Sequence, residues 1–220
     1  MYMAEGITIP ISIFDVVIEY SKPNLRLAMT RTDIVEDLFE RFSRWDITVD
    51  DLEVISEGKP SEQGIKFKIP KRQTAFFFSA AHARLTWDDA NWETSEETVE
   101  VLAIGLDALA KHGNVHPSKF KTAVALHLQP KSLPFVALLK PFASPALAKL
   151  QDSPITAFAT VLRWDGRRVT VDGSAQLANA VFLKFERDFP GEIALLDMAK
   201  QIYGDEQMLF SILGVEEVRP

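Results

Sequence analysis

Alternation of apolar and polar residues predicts strands along much of the chain. Residues 7–20 are rich in isoleucine and valine and indicate a strand, with Pro10 suggesting a sheet edge or a bulge near its start. Residues 65–69 alternate apolar side chains with lysines, which is the period of a half-buried strand. Further strands are predicted at residues 52–56, 75–87, 120–128, 155–164, 168–172 and 176–187. Asp165 and Gly166 give a two-residue hairpin signal between two of them.

Apolar residues at helical spacing predict helices between these strands. Thr32 suits the N-cap of a helix that runs to about Trp45. Thr94 and Glu97 form a capping box for a second helix. Its run of residues 101–110 is so apolar that we expect it to be buried on more than one side.

Two glycines mark special positions in the predicted helices. Gly105 lies inside the second helix, where the missing side chain would let another element approach the backbone closely. Near the end of the chain, residues 192–203 predict a helix that ends at Gly204, and residues 207–213 predict a shorter one.

The order of elements is the same in both halves of the chain. Each half is predicted as strand, helix, three strands and helix, where short helical pieces at residues 133–150 supply the first helix of the second half. The pattern indicates an α+β fold in which antiparallel sheet is covered by helices. The 220 residues would form a single globular unit, and an internal duplication of residues 1–113 and 114–220 would explain the repeated order. This order resembles helix-grip or TATA-binding-protein-like architecture at the level of the fold, which does not fix a function.

Composition and charge narrow the classes of function. The chain is 47% hydrophobic and carries 31 acidic against 24 basic residues, a net charge of −7. A negative field repels phosphate backbones, so we expect no nucleic-acid partner and do not extend the fold resemblance to DNA binding. The chain has no cysteine, which removes disulfides and thiolate sites. No apolar run approaches the roughly 20 residues of a membrane-spanning helix, so we expect a cytoplasmic, acidic protein.

The end of the strand predicted at residues 75–87 holds the candidate catalytic residues. Alternation places His82 on one face with Arg84 and Thr86. A functional interpretation makes His82 a general base and Arg84 an anion anchor, with Asp88 or Asp89 nearby. The alternative, which we favour, is an exposed strand end with a turn that starts at Asp88 and Asp89.

The sequence lacks the usual motifs of cofactor or metal chemistry. The acidic pair before residue 90 matches no calcium-loop pattern, and no nucleophile-elbow, metalloprotease, P-loop or dinucleotide motif occurs. We therefore predict no cofactor and no metal, and lean against an enzyme.

The segment of residues 129–154 contains five prolines within an apolar stretch. Proline keeps such a segment from forming one long helix. It is either a lid or docking arm, or a crossover packed on the core of its own domain. If it is an arm, the interface residues would be Leu133, Phe135, Val136, Leu138, Leu139 and Phe142. The apolar C-terminal stretch of residues 208–218 is open to two similar interpretations, as a cap on the core or as a contact with a second subunit.

Three hypotheses of function follow. The first is a protein that acts by binding or assembly, as a homodimer that uses the proline-rich segment and the C-terminal helices. The second is a small-molecule-binding protein or a hydrolase-like enzyme with a polar pocket near His82, Arg84 and Asp88. The third is a regulatory or immunity-type partner of another protein.

Overall fold

The protein has an α+β fold built on one ten-stranded sheet, which confirms the predicted fold class. The computed structural model describes residues 4–29, 32–59, 61–90, 95–139 and 159–218. The strands are β1 (Glu5–Tyr20), β2 (Leu52–Ile55), β3 (Gly64–Ile69), β4 (Thr74–Ser79), β5 (His82–Asp88), β6 (Pro117–Pro130), β7 (Thr160–Trp164), β8 (Arg167–Gly173), β9 (Val181–Pro190) and β10 (Val215–Glu217). The helices are α1 (Arg26–Met29), α2 (Thr32–Phe42), α3 (Ser95–Gly113), α4 (Phe135–Leu139) and α5 (Leu195–Leu213). Short 3-10 helices occur at Ser43–Trp45, Val49–Asp51 and Pro70–Arg72.

The sheet consists of two meanders and two long strands. Its order is β2-β3-β4-β5-β1-β6-β9-β8-β7, and β10 joins β1 as a parallel strand. The pairings β2–β3, β3–β4, β4–β5, β5–β1, β7–β8 and β8–β9 are antiparallel. In the first half of the chain, β1 lies beside β5, the last strand of the meander β2 to β5. In the second half, β6 lies beside β9, the last strand of the meander β7 to β9. The duplication itself stays a prediction, because a shared order of elements does not show common descent.

The chain divides into two compact units. The first unit comprises Met1–Ser12, Val124–Arg187 and Gln201–Pro220, and the second comprises Ile13–Ala123 and Asp188–Lys200.

The core of the second unit is aromatic. Phe42 from α2 packs edge-on against Phe67 and Phe76, with ring centroids 5.6 and 6.3 Å apart. Gly105 of α3 faces the ring of Phe76, and a Cβ atom at this position would overlap that ring. The predicted close approach at Gly105 is therefore confirmed, and the approaching element is β4.

The predicted hairpin at Asp165 and Gly166 is also confirmed. The two residues have φ angles of 41° and 72° between β7 and β8. Positive φ at both positions gives the twist that matches two antiparallel strands. The predicted capping residue Thr94 lies outside the described residues.

The prediction of one long strand at residues 75–87 is wrong. The chain turns at Ala80 and Ala81, so that β4 and β5 pair as a hairpin. The Ser79 hydroxyl accepts hydrogen bonds from the amides of Ala81 and His82, both at 3.1 Å, and donates to the His82 carbonyl at 3.0 Å. A serine side chain thus supplies the polar partners for a turn that has no glycine, proline or asparagine to signal it.

The prediction of two C-terminal helices is also wrong, because α5 continues through Gly204. The next residue, Asp205, is 8% exposed and accepts from Arg187 at 2.8 Å. Arg167 lies 3.3 Å from the same carboxylate. This ion-pair network holds the middle of α5 in place. Because a single glycine inside a helix lowers its stability by only about 1 kcal/mol, the helix continues through Gly204.

Candidate functional site

A shallow cleft lies on the solvent face of the sheet in the second unit. It encloses about 280 Å³ and is called the sheet cleft below. Strands β2 to β5 and the loop before β3 line it with Ile55, Glu62, Lys66, Ala75, Phe77, His82, Arg84 and Thr86.

Strand register brings the main side chains of the sheet cleft into one row. Lys66 of β3 is paired with Phe77 of β4, and Phe77 is paired with Arg84 of β5. Cross-strand partners project on the same face of an antiparallel sheet, about 5 Å apart. His82 and Thr86 flank Arg84 on that face, as their alternation predicts.

The carboxylate beside Arg84 is Asp15, not the predicted Asp88. Arg84 donates from Nε to Asp15 Oδ1 at 2.6 Å, and the Thr86 hydroxyl donates to the same oxygen at 3.2 Å. Asp88 is exposed opposite Ile13 and does not line the sheet cleft. Sequence reasoning missed Asp15, although an acid between Phe14 and Val16 in an apolar strand was a usable signal.

The predicted turn after β5 is confirmed. Asp89 adopts a left-handed conformation with φ of 56°, which aspartate tolerates better than most residues. The acidic pair thus has a structural explanation.

His82 is a neutral imidazole at the edge of the sheet cleft. Burial lowers its pKa, the positive charge of Arg84 lowers it further, and Glu19 opposes both. Its ring lies 5.5 Å from the Phe77 ring, centroid to centroid. The Ser79 hydroxyl is fully engaged by the turn, so its 3.4 Å contact with His82 Nδ1 does not form a nucleophile–base pair.

Lys66 is the unpaired cation of this face. Lys68, two residues later on the same strand, pairs with Glu53 at 3.2 Å, and Lys121 pairs with Glu19 at 2.6 Å. Within the part of the chain that the structure describes, Lys66 has no carboxylate within ion-pair distance. Its ammonium group therefore remains available to an incoming anion.

The described residues contain no group of three or more side chains that could hold a metal ion. Among the described helices, none combines the length and the apolar character needed to span a bilayer.

The residues of the predicted arm lie in and before α4. Leu138 and Leu139 are buried, and Phe135 packs over Gly173 of β8. Leu133 remains 43% exposed, and Phe142 lies outside the described residues. Helix α4 thus packs on the first unit. Residues 140–154 lie outside the described residues, so the choice between an arm and a packed crossover stays a prediction.

A second histidine is buried in the first unit. His127 Nδ1 lies 2.8 Å from the Ser174 hydroxyl, which accepts from the amides of Gln176 and Leu177. Because the two lone pairs of the Ser174 oxygen accept those hydrogen bonds, its own proton is donated to Nδ1 of His127. A ring nitrogen that accepts a hydrogen bond carries no proton, so the imidazole of His127 is neutral. Burial lowers its pKa. This polar loop replaces the first part of the strand predicted at residues 176–187.

Stability should fall as the pH drops below the ordinary histidine pKa of about 6.5. The folded-state pKa of His82 and of His127 is lowered, so below 6.5 the unfolded chain binds protons that the folded chain does not. Urea unfolding between pH 7.5 and about 5 should show this slope. The double variant His82→Gln, His127→Gln should reduce it. A wild-type stability that is flat or rises towards pH 5 would contradict the expectation.

Comparison with known proteins leaves the function open. No protein-family model matches the chain, and no curated protein matches it significantly. Among solved structures, the chain is similar to the rolling circle replication initiator protein from Geobacillus stearothermophilus, with 13% sequence identity and a TM-score of 0.38. The match covers 91% of this chain and 80% of that chain. A likeness this distant carries no functional conclusion.

Proposed function

We propose that the protein acts by binding, and that the sheet cleft binds a small molecule with a carboxylate beside an apolar group. The observation that carries this proposal is the row formed by Lys66, Phe77 and Arg84. It places two cations on either side of an aromatic ring within one cleft.

The donors of Arg84 fit a carboxylate. Its Nε is engaged by Asp15, whereas its terminal amino groups have no partner among the described residues. A guanidinium edge pairs with the two oxygens of a carboxylate, and such charge-assisted bonds are about twice as strong as neutral ones. Lys66 adds a second positive charge on the other side of Phe77.

The size and lining of the sheet cleft fit a small, partly apolar ligand. Its volume of about 280 Å³ lies at the lower end of the range of ligand pockets. Ile55, Ala75 and Phe77 supply apolar contact, and Glu62 is held at the rim by the Lys59 amide at 3.2 Å. The ligand would therefore place a ring or aliphatic group over Phe77.

The chemistry of the sheet cleft favours binding over catalysis. A general base needs a proton to abstract from a nucleophile or substrate held in place. The nearest hydroxyl to the imidazole of His82, that of Ser79, is committed to the turn, and Thr86 donates to Asp15. His82 thus serves as a neutral hydrogen-bonding group at the site.

Benzoate is a suitable probe because it joins a carboxylate to an aromatic ring. Calorimetric titration of the full chain should give a Kd of about 1 mM for such a fragment. Lys66→Ala should weaken binding about tenfold, since it removes about 1.5 kcal/mol of charge-assisted contact. Lys68→Ala is the matched control, since it lies on the same strand and face but outside the sheet cleft. Equal affinity of the two variants would refute the proposed site.

Self-association is a second candidate, favoured by the outer surface of α5. Met208 and Ile212 are 39% and 48% exposed, and they follow Gly204 at four-residue spacing. Residues at this spacing share one side of a helix. No described residue lies within 4 Å of a Cβ placed at Gly204, so this side is open to a second copy of the chain.

Light scattering tests the self-association. The wild-type chain should give twice the mass of 24.7 kDa at high concentration. Met208→Ser with Ile212→Ser should give the monomer mass without loss of folding. A monomeric wild-type chain would exclude the dimer.

A further inference from the structure

A second cleft lies at another place in the second unit. It encloses about 670 Å³, and it is formed by the loop between β1 and α1 and by the residues that follow α3. We call it the loop cleft. It shares no lining residue with the sheet cleft.

The loop cleft carries positive charge, although the protein as a whole is acidic. Among the described residues that line it, Lys22 and Arg26 carry charge and no aspartate or glutamate occurs. Within the described residues, neither cation lies within 4 Å of a carboxylate, although most of the other arginines in the described chain form ion pairs. The remaining lining includes Asn114 and His116, which add hydrogen-bonding groups. Two unpaired charges without a counter-charge favour a multiply charged anion.

One lining residue of the loop cleft, Tyr20, has a covered and unsatisfied hydroxyl. Tyr20 is 8% exposed, and this hydroxyl has no hydrogen-bond partner among the described residues. Burial raises its pKa, so the hydroxyl keeps its proton and can only gain stability by donating it. A buried polar group without a partner lowers the stability of the fold.

The loop is held in place at several points. The Asn24 amide donates to the Ala80 carbonyl at 2.7 Å, and the Asn24 side chain bonds to the Gly113 carbonyl. The Ser21 amide donates to the His116 carbonyl at 3.3 Å. Because the backbone is fixed before any ligand arrives, little ordering cost opposes binding.

From these observations we infer that the loop cleft binds a free phosphorylated small molecule. Lys22 and Arg26 would bind the phosphate oxygens. The volume is that of a drug-sized or cofactor-sized ligand. The net charge of −7 repels an anionic lipid surface, which favours a free molecule over a headgroup.

Inorganic pyrophosphate is the probe, titrated into the full chain by calorimetry. Lys22→Ala with Arg26→Ala should weaken binding by tenfold or more, given about 1.5 kcal/mol per charge-assisted bond. The matched control is Lys59→Ala with Lys200→Ala, which removes the same charge from exposed positions outside the loop cleft. If the two double variants bind equally, the attraction is a general charge effect and the proposal is overturned.

Tyr20→Phe separates ligand binding from folding. The ligand-free variant should melt about 2–4 °C higher, because it lacks the unpartnered hydroxyl. Its pyrophosphate affinity should equal that of the wild type, because the ligand meets Lys22 and Arg26 and not the covered hydroxyl. Weaker pyrophosphate binding by this folded variant would contradict a site made by the two cations.

Discussion

Gly105→Ala should destabilise the protein by about 3 kcal/mol, near the upper end of the usual cost of overpacking. A Cβ atom at this position would overlap the Phe76 ring, which is fully buried and also contacts Phe42. Packed interiors transmit such an overlap, because the ring has no free space to move into. Urea unfolding measures the loss as a lower midpoint with an unchanged slope.

Gly204→Ala is the matched control for this expectation. Gly204 also lies inside a long helix, but open space surrounds the position of its missing Cβ. The same substitution should therefore stabilise the protein by about 0.5–1 kcal/mol, the helix propensity difference. A second test adds Phe76→Leu to Gly105→Ala, which should recover about 1 kcal/mol or more by making room. Equal effects of the two alanine substitutions would contradict the packing in the second unit.

Asp205→Asn should cost about 3 kcal/mol, because it leaves two arginines beside a neutral side chain in a mostly buried place. Arg187 and Arg167 both contact this carboxylate, and Gln201 bonds to the other end of Arg187. Removal of one partner of a buried ion pair lowers the free energy of unfolding much more than removal of one partner of an exposed pair. Thermal or urea unfolding would measure the loss.

Glu53→Gln provides the exposed counterpart. The pair that Glu53 makes with Lys68 is about half exposed at both side chains, and such pairs contribute less than about 1 kcal/mol. A loss at Asp205 no larger than that at Glu53 would show that the network does not anchor α5.

Local pattern in the sequence predicts most of the fold. Alternation predicted the half-buried strands, and the Asp165-Gly166 dipeptide predicted the hairpin. Gly105 inside an apolar helix predicted the close approach of another element. Each of these signals acts over a few residues, so no knowledge of distant partners was needed.

The errors occur where a side chain overrides the local pattern. The turn after Ser79 has no turn-forming residue at its centre, because the serine hydroxyl completes its hydrogen bonds. Helix α5 passes through Gly204 because Asp205 is fixed by arginines from other elements. Period and composition alone do not reveal either interaction.

The candidate site could be predicted only in part. Alternation within a single strand decides which residues share a face of the sheet. His82 and Arg84 of β5 were therefore placed together correctly. Asp15 lies 69 residues from Arg84, and Lys66 reaches the sheet cleft through two strand pairings. Strand register fixes these neighbours, and the sequence of a single chain does not specify that register.

The most direct test of the sheet cleft is the titration of the His82 imidazole, followed by NMR with and without benzoate. The wild-type pKa of His82 is lowered by burial and by the charge of Arg84. A carboxylate bound between Lys66 and Arg84 would add a negative charge nearby, so benzoate should raise this pKa towards the ordinary value. The shift should persist in Lys68→Ala and be reduced in Lys66→Ala. A His82 titration that benzoate leaves unchanged would contradict ligand binding in the sheet cleft.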